Sequence, residues 1–259
     1  MDAKIIQAAT ALKEKTVARR RDFHKHAEVA WTEFRTAAYV AQTLIDLGYQ
    51  VSTGIDVHDE ASMMGLPSKA ELEKQMQRAI EQGADKVWVD KMVGGKTGVV
   101  GVMKFAKPGP TVALRVDMDA NDLSEATEEK HRPFREGFAS VNKGAMHACG
   151  HDGHTSIGLA VAEVLAGLKD ELAGTIKLIF QPAEEGVRGA KAMMAKGVVD
   201  DVNYVVGMHL GVNLRKTGQV ACRTEGFLAT TKVDATFTGV PAHAGAAPET
   251  GRNALLAAA

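Results

Sequence analysis

The sequence predicts an α/β fold, with a mostly parallel sheet flanked by helices, followed by the start of an α+β domain. Three observations carry this expectation. From residue 97, short β-branched runs alternate with helical segments, and the runs are continuously apolar, as strands covered on both faces are. Before residue 97 the apolar spacing is helical, and near residue 226 it changes to the alternation of a strand with one wet face.

Composition sets the outer limits. A chain of 259 residues, 45% hydrophobic and 24% charged, has room for one large domain or two modest ones, which excludes disorder and collagen-like repeats. Thirty-one basic residues stand against thirty-two acidic ones, so the net charge of -1 offers no general attraction for nucleic acid or an anionic membrane. A small polar substrate is the simpler expectation. Two cysteines, Cys149 and Cys222, cannot form a disulfide framework and fit a reducing cytosol. Met1-Asp2-Ala3-Lys4 has no apolar leader core, and no run reaches the roughly 18 apolar residues of a membrane span, so a cytoplasmic protein is expected.

Residues 2 to about 47 read as helix. Ile5, Ile6, Ala9 and Leu12 recur at helical spacing, as do Ala37, Val40, Ala41, Leu44 and Ile45, and Gly48 is a plausible stop. Between these runs, the stretch from Arg19 to Glu28 is too charged for a core and reads as a solvated helix face. Residues 58–92 read as an inserted surface helix pair. Strands are expected at 98–103, 111–116, 176–180 and 204–208, with an amphipathic helix after residue 154 carrying Ile157, Val161, Val164, Leu165 and Leu168 on one face. Residues 230–237 read as the first strand of the second domain, and 255–259 as a helix without a stop signal. The expected domains are therefore 1–225, with its helical insertion at about 58–92, and 226–259.

Three of these strands end in residues that bind or activate a metal: Asp117-Met118-Asp119, Gln181-Pro182-Ala183-Glu184-Glu185, and His209. In an open α/β sheet, ligands sit outside the carboxyl ends of the strands, so these groups are expected to converge. The densest stretch is Met146-His147-Ala148-Cys149-Gly150-His151-Asp152-Gly153-His154, where glycines allow a tight backbone to aim two ligand side chains at one point. A rival reading makes Cys149 a nucleophile paired with His151 or His147, and a third makes it merely a buried cysteine beside surface histidines. The metal reading is favoured because a cysteine nucleophile needs no paired glutamate at another strand end. Glu184 and Glu185 point in different directions, so one can bind metal while the other takes a proton from water. Alone, such a pair would be a solvated acidic surface; Pro182 and the apolar run before it set the pair at the mouth of a sheet.

These residues resemble the M20 metallopeptidases, in the amidohydrolase branch. The resemblance is carried by Arg115 to Ala120, His147 to His154, Gln181 to Gly186, Met208-His209, and an N-terminal part made of Arg20 to His24 with Glu28 and Glu33. It covers about residue 15 to the last residue, and the many motifs make it specific. The stretches Met64 to Pro67, Asp122 to Glu125, His131 to Pro133 and Gly137 to Ser140 are similar to the members of the family that cleave aminobenzoyl-glutamate.

The resemblance implies a zinc-peptidase-like catalytic domain followed by a lid or dimerisation domain. It implies two divalent ions, Mn²⁺ first and Zn²⁺ as the alternative, bridged by Cys149 and held further by His151, Glu185 and His209. Glu184 would be the general base and Asp119 would orient a ligand. His243 would stabilise an oxyanion by reaching the active site of the partner protomer; on composition alone it is an exposed loop histidine. His154 stays open between lining the site and beginning the helix, and Arg188 is a weaker candidate anchor for a substrate carboxylate. The implied reaction is hydrolysis of p-aminobenzoyl-glutamate to p-aminobenzoate and glutamate. The implied assembly is a homodimer or a complex with a companion subunit. The alternatives are a broader N-acyl-amino-acid or auxin-conjugate amidohydrolase, or an inactive metal-binding or dimerising remnant. The family continues beyond the length of this chain to a last ligand histidine, so the chain is expected to be incomplete, with little or no activity alone. One departure stands out: the family usually has Ala-Leu where this chain has Ala120-Asn121, which is expected to perturb the Asp119 loop.

Overall fold

The computed structural model describes all residues except Val212, Asn213, Arg215, Arg223, Phe227, Leu228, Thr230, Lys232 and Asp234. The chain divides into two compact units, Met1–Gly211 and Val212–Ala259, a division that falls earlier than the change of texture near residue 226. Among the described residues no helix is long and apolar enough to cross a membrane.

The first unit begins with three helices where one helical region was expected: α1 (Asp2–Ala11), α2 (Lys13–Lys25) and α3 (Phe34–Asp46). Gly48, at φ 85°, takes the left-handed turn beyond α3 that stops it, as glycine does at little steric cost. Strand β1 (Gln50–Thr53) follows, then the inserted pair α4 (Lys69–Glu81) and α5 (Lys86–Lys91). The caps of this pair are local: Ser68 accepts from Glu71 N and Asp85 from Val87 N. The remaining elements are β2 (Val99–Lys104), β3 (Lys107–Asp117), α6 (Arg132–Arg135), α7 (His151–Gly167), β4 (Ala173–Gln181), α8 (Gly189–Ala195) and β5 (Tyr204–Gly207).

The five strands form one sheet in the order β1-β2-β4-β3-β5. Strand β3 runs parallel to β4 and β5, whereas β2 is antiparallel to both β1 and β4, so β2 alone opposes the other four and the sheet is mixed. Only Phe105 and Ala106 separate β2 from β3 in sequence, yet β4 lies between them. Because β3, β4 and β5 share a direction, their carboxyl ends open at one end of the sheet.

Residues of β4 face two cores. Ile176, Leu178 and Phe180 bury against Val40 and Leu44 of α3 and Leu159 and Ala162 of α7, while Ile179 joins Val57, Ala113 and Met193 on the other face. Burial on both sides explains why the strand reads as a nearly continuous apolar run. Gly158 lets α7 approach the sheet: a Cβ there would lie 3.0 Å from Phe180 and Val116 side-chain atoms.

The charged stretch from Arg19 to Glu28 is not a solvated face. Arg19, His24 and Glu28 are buried, with Arg19 paired to Glu163, His24 to Asp152 and Glu125, and Glu28 to Arg78. Charges survive burial here because each has an opposite charge beside it.

In the second unit, Val240 bridges Arg252, a 3-10 turn spans Pro248–Thr250, and α9 (Ala254–Ala258) is capped by Asn253 accepting from Leu256 N. The expected strand at 230–237 includes Thr230, Lys232 and Asp234, which lie outside the described residues. The described residues of that stretch are not in a strand.

Candidate metal centre

The centre is built where β3, β4 and β5 end. Past β3, the Asp119 main-chain carbonyl accepts from His151 Nδ1 at 2.8 Å. With Nδ1 donating, His151 Nε2 keeps its lone pair; that atom is buried and has no protein partner among the described residues. It lies 3.7 Å from Asp117 Oδ1, 3.8 Å from Glu184 Oε2 and 4.0 Å from Glu185 Oε1.

Residue 209 shows the same logic. His209 Nδ1 donates to the Leu210 carbonyl at 2.7 Å, and its Nε2 lies 3.4 Å from Cys149 Sγ. Cys149 itself is set by Gly150, whose φ of 94° is left-handed backbone at the start of α7. The ligand atoms of Cys149, His151 and His209 fall within 4.8 Å of one another, as do those of His151, Glu184 and Glu185.

Asp119 ties the strand ends together. Its carboxylate accepts from Glu184 N at 2.9 Å and Glu185 N at 2.8 Å, so one side chain fixes the backbone of both glutamates. The turn before them is strained: Ala183 has φ 50°, which a non-glycine residue rarely adopts. Its N–H is held by Glu33 at 2.8 Å, and the other oxygen of Glu33 accepts from Thr97 Oγ1 at 2.6 Å. Burial and the nearby Asp119 charge push the Glu33 carboxyl up to about 8.

His154, left open by the sequence, is fully committed to the protein. Its Nε2 accepts from Leu210 N at 2.8 Å, which leaves Nδ1 to donate to Asp117 Oδ1 at 2.6 Å. It thereby braces the His209–Leu210 segment against β3. Asn121 does not disrupt the loop: its Oδ1 accepts from Ala148 N at 3.1 Å, and its backbone bridges Met146, so the departure from the family pattern supports the turn before Cys149.

Electrostatics favour a cation in this cluster. Burial raises the Cys149 thiol, and the charges of Glu185 and Glu184 add to that, up to about 11. Burial works against charge on His151, but Asp119 and the charges of Asp117 and Glu184 outweigh it and push the imidazole up to about 9. Burial and Asp117 also raise Glu184. A cation joining the cluster would offset what holds the Cys149 thiol and the Glu184 carboxyl in their neutral forms. The unpartnered His151 Nε2 and the unpartnered, buried Glu185 Oε1 are the atoms such a cation would engage, so the donor set fits a divalent metal.

Cys149, His151, Glu184, Glu185, His209 and Asp119 are brought together in the first unit. Arg188 is half-buried and donates from Nη1 to the Gly65 carbonyl at 3.1 Å, which ties the inserted segment to the loop of the two glutamates. His243 belongs to the second unit, where its Nδ1 accepts from Gly245 N and Ala246 N. Sequence reading missed the positioning parts played by Glu33, Thr97 and His154. The Asp-x-Asp at a strand end was the available signal for Asp117, since residues two apart on a strand share a face.

Residues 113–259 match the family model for peptidase family M20/M25/M40. The chain is 58% identical over 240 residues to indole-3-acetyl-aspartic acid hydrolase of Enterobacter agglomerans. It is 55% identical over 240 residues to a p-aminobenzoyl-glutamate hydrolase subunit of Escherichia coli K12. Each alignment covers 93% of this chain and 55% of the relative, so the chain spans about half the length of these curated relatives. Among solved structures, it is similar to an aminobenzoyl-glutamate utilization protein from Klebsiella pneumoniae, with a TM-score of 0.77 and 46% identity over 98% of this chain and 57% of that one. It is also similar to a dinuclear metal-binding M20 peptidase of Bacillus subtilis, with a TM-score of 0.58 and 29% identity over 79% of this chain and 45% of that one. The arrangement of ligand types at the strand ends and the match over residues 113–259 agree: the chain belongs to peptidase family M20/M25/M40.

Proposed function

We propose that this chain provides the metal-binding half of an amidohydrolase that cleaves an aromatic acyl group from an acidic amino acid, with p-aminobenzoyl-glutamate as the leading substrate. The observation that carries the reading is the convergence of Cys149, His151, Glu185 and His209, with two buried donor atoms left unpartnered, next to a second glutamate free to move protons. Relatives named for cleaving p-aminobenzoyl-glutamate and indole-3-acetyl-aspartate stand at similar identity, and both names describe an aromatic acyl group joined to an acidic amino acid. This supports the substrate class, and it keeps a broader auxin-conjugate specificity as the second reading.

Cys149, His151, Glu185 and His209 would hold two divalent ions, Mn²⁺ first and Zn²⁺ as the alternative. When bound, such ions supply Lewis acidity toward the amide carbonyl and make water a better acid. The chain's own residues do the rest. Glu184, held through its backbone by Asp119, accepts the proton from the attacking water and returns it to the leaving amine; its raised pKa suits both halves of that transfer. Asp119 orients His151 and the two glutamates. His243 supplies oxyanion stabilisation across a dimer, Arg188 anchors a substrate carboxylate, and a second copy or a companion subunit completes the assembly in the cytoplasm.

The test is a panel of p-aminobenzoyl-glutamate, indole-3-acetyl-aspartate and N-acetyl-leucine, with the released acid separated by chromatography. Preference for the two acidic conjugates supports the proposal, and cleavage of the leucine conjugate alone contradicts it.

A further inference from the structure

Helices α2 and α6 and the first turn of α7 surround a recess of about 370 Å³. Its lining is strongly basic: Arg20, Arg21, Arg132 and His24 stand against a single lining carboxylate, Asp152. Asp152 is buried and already used, since its Oδ2 accepts from His24 Nδ1 at 2.9 Å and Arg20 Nε at 3.3 Å. Glu136 accepts from Arg21 Nη2 at 2.7 Å and Arg132 Nε at 2.6 Å, which holds those two guanidinium groups side by side. Among the described residues, each of the three arginines spends one nitrogen on a protein acceptor and leaves the rest of its planar fork free.

The rest of the wall is apolar. Val17 and Pro133 line it, and the Phe138 ring has the Arg21 guanidinium 4.7 Å over its centroid and the His24 ring at its edge. Fixed guanidinium forks suit a planar carboxylate, and the aromatic and aliphatic wall suits a hydrocarbon body attached to it. Bare phosphate would use the first feature and waste the second.

We infer that this recess, framed by Arg20, Arg21 and Arg132 against Phe138, is a binding site for a small organic carboxylate with an apolar body. The recess shares no lining residue with the metal centre and takes its ligand independently of the substrate assigned there.

Isothermal titration of metal-stripped protein with benzoate, benzamide and inorganic phosphate tests it. Saturable benzoate binding is expected, with no saturation by benzamide. Arg132→Gln and Arg20→Gln, both at exposed side chains, should each weaken it by about tenfold, the scale of one lost charged fork contact. Cys149→Ser should leave it within about twofold, because the thiol is not part of the recess. Circular dichroism of each variant confirms folding. The inference is overturned if benzoate fails to saturate by about 10 mM, if phosphate binds and benzoate does not, if neither arginine variant weakens binding, or if Cys149→Ser abolishes it.

Discussion

Replacing Asp119 with asparagine keeps the shape of the side chain and removes one of its two acceptor oxygens. In the structure those oxygens receive Glu184 N at 2.9 Å and Glu185 N at 2.8 Å. An amide can satisfy only one of these N–H groups; its NH₂ faces the other donor, so that pair repels and the loop must shift. A hydrogen bond to a charged acceptor contributes about 1.5–3 kcal/mol, and its loss falls on the backbone that aims Glu185. Groups that orient metal ligands typically change affinity by about 10–100-fold when replaced. Asp119→Asn is therefore expected to weaken divalent-metal binding by about 10–100-fold while the fold persists. Competition titration against a chromophoric chelator, with Mn²⁺ and Zn²⁺ separately, reads the affinity, and thermal unfolding of the metal-free protein reads the fold. Affinity within about twofold of the parent would refute the claim that Asp119 positions the ligands.

Three further outcomes follow from the same geometry. Glu184→Gln should retain metal and lose turnover by about 10²–10⁴-fold, the range for a proton-transfer group, as measured by initial rates on p-aminobenzoyl-glutamate; unchanged rates would remove it as the base. Arg188→Ala should raise KM with kcat little changed, and an unaltered KM would leave Arg188 only its contact with Gly65. Asp22 is held at about 2 because hydrogen bonds from His26 and Arg35 outweigh its burial, so it stabilises the fold above its ordinary value of 3.8 and loses that contribution as the pH falls toward 2. Since its side chain is 39% exposed, about 1 kcal/mol is expected after solvent screening; urea unfolding of Asp22→Asn against the parent should show that difference at pH 6 and its disappearance near pH 2.

What the sequence revealed depended on whether the physics was local. Strands β3, β4 and β5 were legible because each holds a mostly apolar run, and the convergence of Asp119, Glu185 and His209 was legible because they follow three such runs. Strand order was not: β2 and β3 are almost contiguous, and nothing in their residues says that β4 comes between them. The charged stretch of α2 was misread for the same reason. Burial of Arg19, His24 and Glu28 is tolerated only because Glu163, Asp152 and Arg78, far away in sequence, meet them. Glu33 illustrates the limit most clearly, since its contacts, Thr97 and Ala183, lie 64 and 150 residues away.

The central claim is that Cys149 and its neighbours at the strand ends hold a divalent metal. Cobalt(II) added to metal-stripped protein reports thiolate coordination directly through its sulfur-to-cobalt charge-transfer absorption. This band should appear and saturate with the parent protein, disappear in Cys149→Ser, and weaken in His209→Ala. Absence of the band in the parent, or the same band in Cys149→Ser, would contradict the claim.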